Sequence, residues 1–200
     1  MSVFSMRERR RSLTVVAVAM LIYLAWLMQL TVLNGFFFHG AVCSLPLTLT
    51  ILWGFVFGSR LPPLTSDDLK VMTARQVFFR QLMSGSLSGF LVGAFTGALY
   101  ASVAPVYPLS FPIVGWVAGY FCARKLQREV LLCIPVVLLA TVFAEAIMAV
   151  ELWFSGREES FLHLARIALP EAVVNAVIAP FCYFPMRRWH DFAGESSKDA

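Results

Sequence analysis

Three polar side chains inside apolar stretches are the first candidates for chemistry: Glu145, Asn175 and Gln29. Glu145 and Asn175 lie near the middle of the last two long apolar runs, and Gln29 lies near the end of the first. A charge at the bilayer centre costs about 2.5–3.5 kcal/mol on insertion scales, so Glu145 should face protein or stay neutral. It could serve as a proton or cation relay, or as a neutral group hydrogen-bonded to a partner such as Asn175. We favour the second interpretation because transporters usually gather several polar groups at the midplane.

Glycines form a second pattern, spaced four residues apart in the apolar run at 82–104 and again in the next run, at 106–123. Four residues advance a helix by about 400°, so such glycines share one slowly drifting face. Small residues allow helix backbones to approach closely in lipid. We predict packing within a helix bundle, with a docking groove for a partner's helix as the alternative. The glycines are Gly85, Gly89, Gly93, Gly97, Gly115 and Gly119.

A third group lies where the last two apolar runs approach their shared loop, at 155–166. Arg166 could pair with Glu151 or with Glu171 across this short connection. An ion pair that joins two helix ends at the membrane surface is the favoured interpretation. The alternative is a contact surface for a partner outside the membrane.

Catalytic and metal-binding patterns are not found in the sequence. The three histidines, His39, His163 and His190, lie in different regions, and the four cysteines form no CxxC motif. No nucleophile–base–orienter set can be assembled from these residues. We therefore predict no enzymatic activity, cofactor or metal site.

Composition indicates an all-α integral membrane protein. The chain of 200 residues is 59% hydrophobic and 14% charged, whereas soluble domains carry about 25% charged residues. A helix needs about 20 apolar residues to cross a bilayer, and six such stretches fill most of the chain. The predicted spans of this six-helix transmembrane bundle are 13–33, 36–58, 82–104, 106–123, 130–154 and 167–186.

The basic residues predict the orientation of these spans. If the six spans cross the membrane in alternating directions, all of the 16 Lys and Arg except Arg157 and Arg166 lie on one side of the membrane. Cytoplasmic loops retain Lys and Arg, so both termini are predicted to be cytoplasmic, as tails at 1–12 and 187–200 around a transmembrane domain at 13–186. Anionic lipid headgroups explain the net charge of +4 better than nucleic acid does. The residues on the basic face are Arg7, Arg9, Arg10, Arg11, Arg60, Lys70, Arg75, Arg80, Arg124, Lys125, Arg128, Arg187, Arg188 and Lys198.

Three local features complete the predicted layout. The longest cytoplasmic connection, 59–81, contains a short helix at about 68–82 that would lie at the membrane surface. Pro46 is expected to kink the second span, which neighbouring helices can accommodate. The polar segment after Met186 is expected to be a loose tail.

The order of these motifs resembles the MreD family of bacterial rod-shape-determining membrane proteins. The similarity rests on Gln29-Leu30-Thr31, the glycine-rich third span, Gly115-x-x-x-Gly119 before a basic turn, and a closing stretch. That stretch is Arg166-Ile167-Ala168-Leu169-Pro170, followed by Asn175 and Pro180. The resemblance implies a non-enzymatic scaffold of the cell-elongation complex in the bacterial cytoplasmic membrane. Its implied partners are a single-pass MreC-like protein and, through it, an MreB-like cytoskeleton and the peptidoglycan synthases.

A small-molecule transporter subunit is the alternative. The outline is also similar to the vitamin-binding S components of energy-coupling-factor transporters, which are six-helix proteins. Those proteins tend to dock their energising partner through small residues on the first helix. Here that helix has Ala17 and Ala19 but no series of small residues spaced four apart. The external loops are also short, so we favour the scaffold.

Overall fold

The computed structural model describes residues 3–35, 42–58, 71–83, 85–103, 108–121, 130–156 and 160–195, and helices are the only regular secondary structure in these segments. Short 3-10 turns follow the first helix, extend the fifth and precede the sixth. The α-helices are α1 (Val3–Thr31), α2 (Leu45–Val56), α3 (Ala74–Met83), α4 (Leu87–Ala101), α5 (Ser110–Ala118), α6 (Cys133–Phe154) and α7 (Ser160–Glu195).

Three described segments are long and apolar enough to cross a membrane: Val15–Gly35, Val130–Phe154 and Arg166–Asp191. They correspond to the first, fifth and sixth predicted spans. The other three predicted spans contain the shorter apolar helices α2, α4 and α5, of 12, 15 and 9 residues. At about 1.5 Å per residue, a 12-residue helix covers about 18 Å, less than the roughly 30 Å hydrocarbon core.

Both chain ends are more helical than expected. Helix α1 begins at Val3, within the segment predicted to be a basic tail. Helix α7 continues to Glu195, although a loose tail was predicted after Met186. Arg187 and Asp191 lie one turn apart with 3.9 Å between Nε and Oδ2, a spacing at which opposite charges support a helix.

Helix α2 is the core of the bundle. Eleven of its 12 residues are buried, and it contacts α1, α4, α5, α6 and α7. Pro46 lies in its first turn, where the missing N–H removes no helical hydrogen bond. The predicted kink at Pro46 is therefore wrong, because the helix begins only one residue earlier, at Leu45.

Helices α4 and α5 are antiparallel neighbours. Gly89 in α4 lies against Gly115 in α5, and Gly93, one turn further along α4, lies against Phe111, one turn earlier in α5. The two helices therefore run in opposite directions with their backbones in contact.

Helices α2 and α7 run in the same direction. Ser44, just before α2, hydrogen-bonds Asn175, and near the other end of α2 the ring of Phe55 lies 6.0 Å from that of Tyr183. Helix α6 is antiparallel to α7, which follows it after a short connection. The apolar helices thus alternate in direction along the chain, as crossings in alternating directions require.

The connection between α2 and α4 contains part of the helix that was predicted to lie at the membrane surface. Helix α3 covers most of the predicted 68–82, and the guanidinium of Arg75 lies 5.7 Å from the ring centre of Phe79. The predictions for 36–41, 59–70, 104–107, 122–129, 157–159 and 196–200 lie outside the described residues.

Candidate functional site

The glycines of α4 and α5 hold three helices at backbone contact. A Cβ on Gly89 would overlap the carbonyl oxygen of Gly115, and a Cβ on Gly115 would overlap that of Gly89. Gly54 of α2 enters the same contact, since a Cβ there would also meet the Gly115 carbonyl. We call Gly54, Gly89 and Gly115 the glycine contact. Only residues without a side chain permit this approach of α2, α4 and α5.

The remaining predicted glycines also face the interior. A Cβ on Gly93 would collide with the backbone of Phe111, one on Gly85 with the ring of Trp116, and one on Gly119 with Ser86. Gly97 is buried in α4. The stripe is therefore occupied by this chain, and these positions leave no open groove for a partner's helix.

Gly54 was not singled out from the sequence. It lies four residues before Gly58 in the second apolar run, and that spacing was the signal available. A glycine inside a helical pattern can mark a close packing contact. Without the fold, nothing indicated that this glycine meets the stripe of α4.

Two of the predicted intramembrane polar residues, Gln29 and Asn175, accept hydrogen bonds from backbone N–H groups at the start of α2. The backbone N–H of Ser44 donates to Asn175 Oδ1 over 2.9 Å, and that of Leu45 donates to Gln29 Oε1 over 3.0 Å. The next residue, Pro46, has no N–H. The first N–H groups of a helix have no partner within it, and in a membrane interior they must find one in the protein. Gln29 and Asn175 provide these acceptors from α1 and α7.

Asn175 therefore has a different role from the predicted one. Its amide nitrogen lies 3.5 Å from the hydroxyl of Thr141, and its oxygen accepts from Ser44. Among the described residues, no hydrogen bond joins Asn175 to Glu145. The suggested Glu145–Asn175 pair is corrected, because α2 begins beside Asn175 and occupies its carbonyl oxygen.

Further polar side chains in the bundle also form hydrogen bonds within the chain. The hydroxyl of Ser88 donates to the carbonyl oxygen of Phe57 over 3.1 Å, at the C-terminal end of α2. The hydroxyls of Thr50 and Thr96 lie 3.2 Å apart and fully buried between α2 and α4. Both ends and the middle of α2 are thus tied to neighbouring helices by hydrogen bonds.

The predicted ion pair at the helix ends is not present. Within the described residues, Arg166 forms no salt bridge with Glu151 or Glu171 and is exposed. Both carboxylate oxygens of Glu151 are buried without a hydrogen-bond partner among the described residues, and the backbone N–H groups of Leu109 and Ser110, where α5 begins, lie nearby. The positive end of a helix dipole is a favourable place for a carboxylate.

Glu171 instead lines a cavity together with Glu145. The cavity has a volume of about 310 Å³ and is open on one side. It lies where α1, α4 and α6 end and where α2, α5 and the membrane part of α7 begin. Its polar lining residues are Gln29, Asn34, Ser44, Tyr100, Glu145 and Glu171, and its other lining residues include Leu47, Phe111, Met148, Leu152 and Ile167. We call this the helix-end cavity.

The helix-end cavity combines carboxyl groups with an otherwise largely apolar wall. The amide nitrogen of Gln29 donates to Asn34 Oδ1 over 3.2 Å, and its oxygen is occupied by Leu45, so Gln29 is a wall residue. Glu145 and Glu171 are the acidic side chains of the lining. The arrangement can accept hydrogen bonds from, and neutralise, a positively charged group.

Sequence reasoning found Glu145, Glu171 and Gln29 but did not join them into one site. It missed Tyr100 and Ser44, which come from ends of other helices. A tyrosine near a helix end usually indicates the membrane interface, so the pattern offered no signal for a cavity.

The comparisons with known proteins give no relative for this chain. No family model, curated protein or solved structure matches it. The glycine contact and the helix-end cavity are therefore interpreted from their own geometry.

Proposed function

We propose that this chain is a multi-pass scaffold of the bacterial cytoplasmic membrane that supports the cell-elongation complex. Its direct partner would be an MreC-like single-pass protein, with an MreB-like cytoskeleton and peptidoglycan synthases reached through it. The resemblance in sequence motifs supplies the identity of these partners. The structure supports the proposal through one observation: the glycines and polar side chains around α2 contact other helices of the same chain.

That observation supports a scaffold for a physical reason. Gln29, Asn175 and Ser88 form hydrogen bonds with backbone groups at the ends of α2. The glycine contact sets the distance of α2 from α4 and α5. A bundle held in this way can present a constant outer surface to other membrane helices. Partner binding would then use exposed apolar side chains on the outer helix faces.

Six membrane crossings with cytoplasmic termini are part of the proposal. The alternating helix directions and the one-sided distribution of basic residues support it. Reporter fusions at Ala200 and within 155–166 should report opposite sides of the membrane, with Ala200 cytoplasmic. A periplasmic signal at Ala200 would contradict the six-span arrangement.

The scaffold function is tested by depletion in a rod-shaped bacterium that carries this gene. Loss of the protein should give round or swollen cells, and affinity purification in mild detergent should recover an MreC-like protein. Re-expression of Gly35→Ala should restore the rods, because no atom lies within 4 Å of a Cβ at Gly35. Normal shape after complete depletion would contradict the scaffold.

A transporter subunit is the second candidate, and the helix-end cavity is the observation that favours it. This candidate predicts an ATPase partner and a small molecule that copurifies with the chain. It also predicts that depleted cells keep their shape when the missing nutrient is supplied. Purification with mass spectrometry of bound small molecules separates the two candidates.

A further inference from the structure

We infer that the helix-end cavity binds a small organic cation, with its ammonium group between Glu145 and Glu171. This inference goes beyond the scaffold function and does not depend on it. It rests on the two carboxyl groups, the amphipathic lining and the size of the cavity. The same cavity would bind its ligand whether the chain acts as a scaffold or as a transporter subunit.

The charge of the lining favours a cation. Glu145 and Glu171 both line the cavity, and within the described part of the chain no Lys or Arg is among its lining residues. Arg166, the nearest basic residue in sequence, forms no salt bridge with Glu171. Two carboxylates that share a site disfavour each other's ionisation. A bound cation relieves that repulsion and satisfies acceptor oxygens that would otherwise be poorly solvated.

The shape and the remaining lining favour an organic ligand. A volume of about 310 Å³ is at the lower end of the usual range for small-molecule sites, about 300–1,000 Å³. The rings of Tyr100 and Phe111 lie 5.0 Å apart, and aromatic faces attract ammonium groups. Leu47, Met148 and Ile167 supply apolar wall for a short hydrocarbon chain.

The donor set argues against a divalent metal as the occupant. Calcium takes 6–8 oxygen ligands, whereas the cavity offers two carboxyl groups and Gln29 already uses its oxygen for Leu45. No group of three or more His, Cys, Asp or Glu in the described part of the chain could hold a metal ion. An ammonium needs fewer acceptors, since it has three N–H donors.

The walls of the cavity are held in place before any ligand arrives. Gln29 is fixed by Asn34 and Leu45, and Ser44 is fixed by Asn175. The contacts that hold the start of α2 therefore also hold one wall of the cavity. A site that does not have to form on binding loses less free energy in ordering its side chains.

The test is calorimetric titration of the full chain in nanodiscs of phosphatidylcholine. The probes are n-butylammonium and 1,4-diaminobutane, with 1-butanol and butyrate as uncharged and anionic controls. We expect at least one amine to bind at least tenfold more tightly than either control. Glu145→Gln and Glu171→Gln should each weaken amine binding about tenfold or more, the effect of losing a hydrogen bond to a charged group.

Glu151→Gln is the matched control variant. It makes the same chemical change on the same helix as Glu145, at a position outside the cavity lining, and should leave amine binding within about threefold. Wild-type protein provides a second measurement that does not depend on variants folding. Modification of Glu145 by dicyclohexylcarbodiimide should be slowed by n-butylammonium and not by 1-butanol.

Three results of the calorimetric titration would overturn the inference. They are the absence of amine binding to folded wild-type protein, equal binding of 1-butanol, and unchanged amine affinity in both glutamine variants. Protection of Glu145 by K⁺ as strong as that by n-butylammonium would also overturn it, because the site would then recognise charge alone. Cell shape after depletion is a separate readout, so failure here leaves the scaffold proposal to its own test.

Discussion

The glycine contact lies near the end of α2 and the start of α4, and the helix-end cavity lies at the opposite end of α2. The two regions share α2, α4 and α5 but differ in what their groups contact. At the glycine contact, Gly89 and Gly115 meet backbone to backbone with no space for a methyl group. At the cavity, Glu145 and Glu171 face about 310 Å³ of open volume. Both regions contain residues that are unusual in an apolar helix. One region is closed by the chain itself, and the other is open.

The difference separates polar side chains that hold the start of a helix from polar side chains that line open volume. Asn175 and Gln29 are as buried as any core residue, and both find backbone N–H partners at the start of α2. Glu145 lies nearby without such a partner. Depth in the bundle by itself therefore does not show whether a polar side chain is held by a backbone partner.

The largest effect should come from closing the glycine contact. Gly89→Ala places a methyl group on the Gly115 carbonyl, and overpacking a tight site costs about 3 kcal/mol. We expect a large loss of folded protein, measured by thermal unfolding in detergent. Gly35→Ala is the control, since its methyl would meet no atom within 4 Å. Similar unfolding of both variants would mean that α4 and α5 do not pack as described.

A smaller effect is expected at the start of α2. Asn175→Leu removes the acceptor for the Ser44 N–H, and an unsatisfied buried donor costs about 1–3 kcal/mol. The variant should unfold at lower denaturant concentration than the wild type. Val173→Leu, on the exposed side of the same helix, should change little. Equal stability of the two variants would show that Ser44 finds another acceptor.

The two buried threonines should contribute less to the free energy of unfolding. Thr50 and Thr96 lie 3.2 Å apart, and each hydroxyl is also within hydrogen-bond distance of a carbonyl one turn earlier in its own helix. Each hydroxyl has one proton, so the contact between the threonines competes with the bonds to these carbonyls. Side-chain hydrogen bonds between membrane helices average about 0.6 kcal/mol in double-mutant cycles. A cycle with Thr50→Val and Thr96→Val should give a coupling below about 1 kcal/mol. A coupling above 2 kcal/mol would place this pair with the glycine contact as a main support of the bundle.

The smallest effect on stability is expected in the cavity. Glu145 faces open volume and forms no hydrogen bond with a described residue, so Glu145→Gln should change the free energy of unfolding by no more than about 0.5 kcal/mol. Unfolding without added amine is the measurement, with the wild type alongside. A destabilisation above 2 kcal/mol would identify Glu145 as a structural residue and remove the contrast between the two regions.

Much of the fold could be predicted from the sequence, and less of the site. Helices occur in all six apolar runs, because helix formation in apolar segments depends on local composition and length. The helix ends were less well predicted, at Val3, Glu195 and Pro46 in particular. Those ends depend on side chains from other helices and on charge pairs that an apolar pattern does not record. For the site, the four-residue spacing identified the glycine stripe, while its contact with Gly54 depends on the placement of α2.

The sequence by itself determined that this chain is helical and apolar enough for a membrane, where its glycines and intramembrane polar residues lie, and that its basic residues are unevenly distributed. These properties are local, since they follow from composition and from 3.6-residue periodicity. Only the tertiary structure decided which partner each polar group has. It directed Asn175 and Gln29 to the start of α2, placed Glu151 at the start of α5, and brought Glu171 to the cavity of Glu145. The physical reason is that a hydrogen bond or a cavity depends on the distance between helices far apart in the chain, and no spacing within one helix encodes that distance.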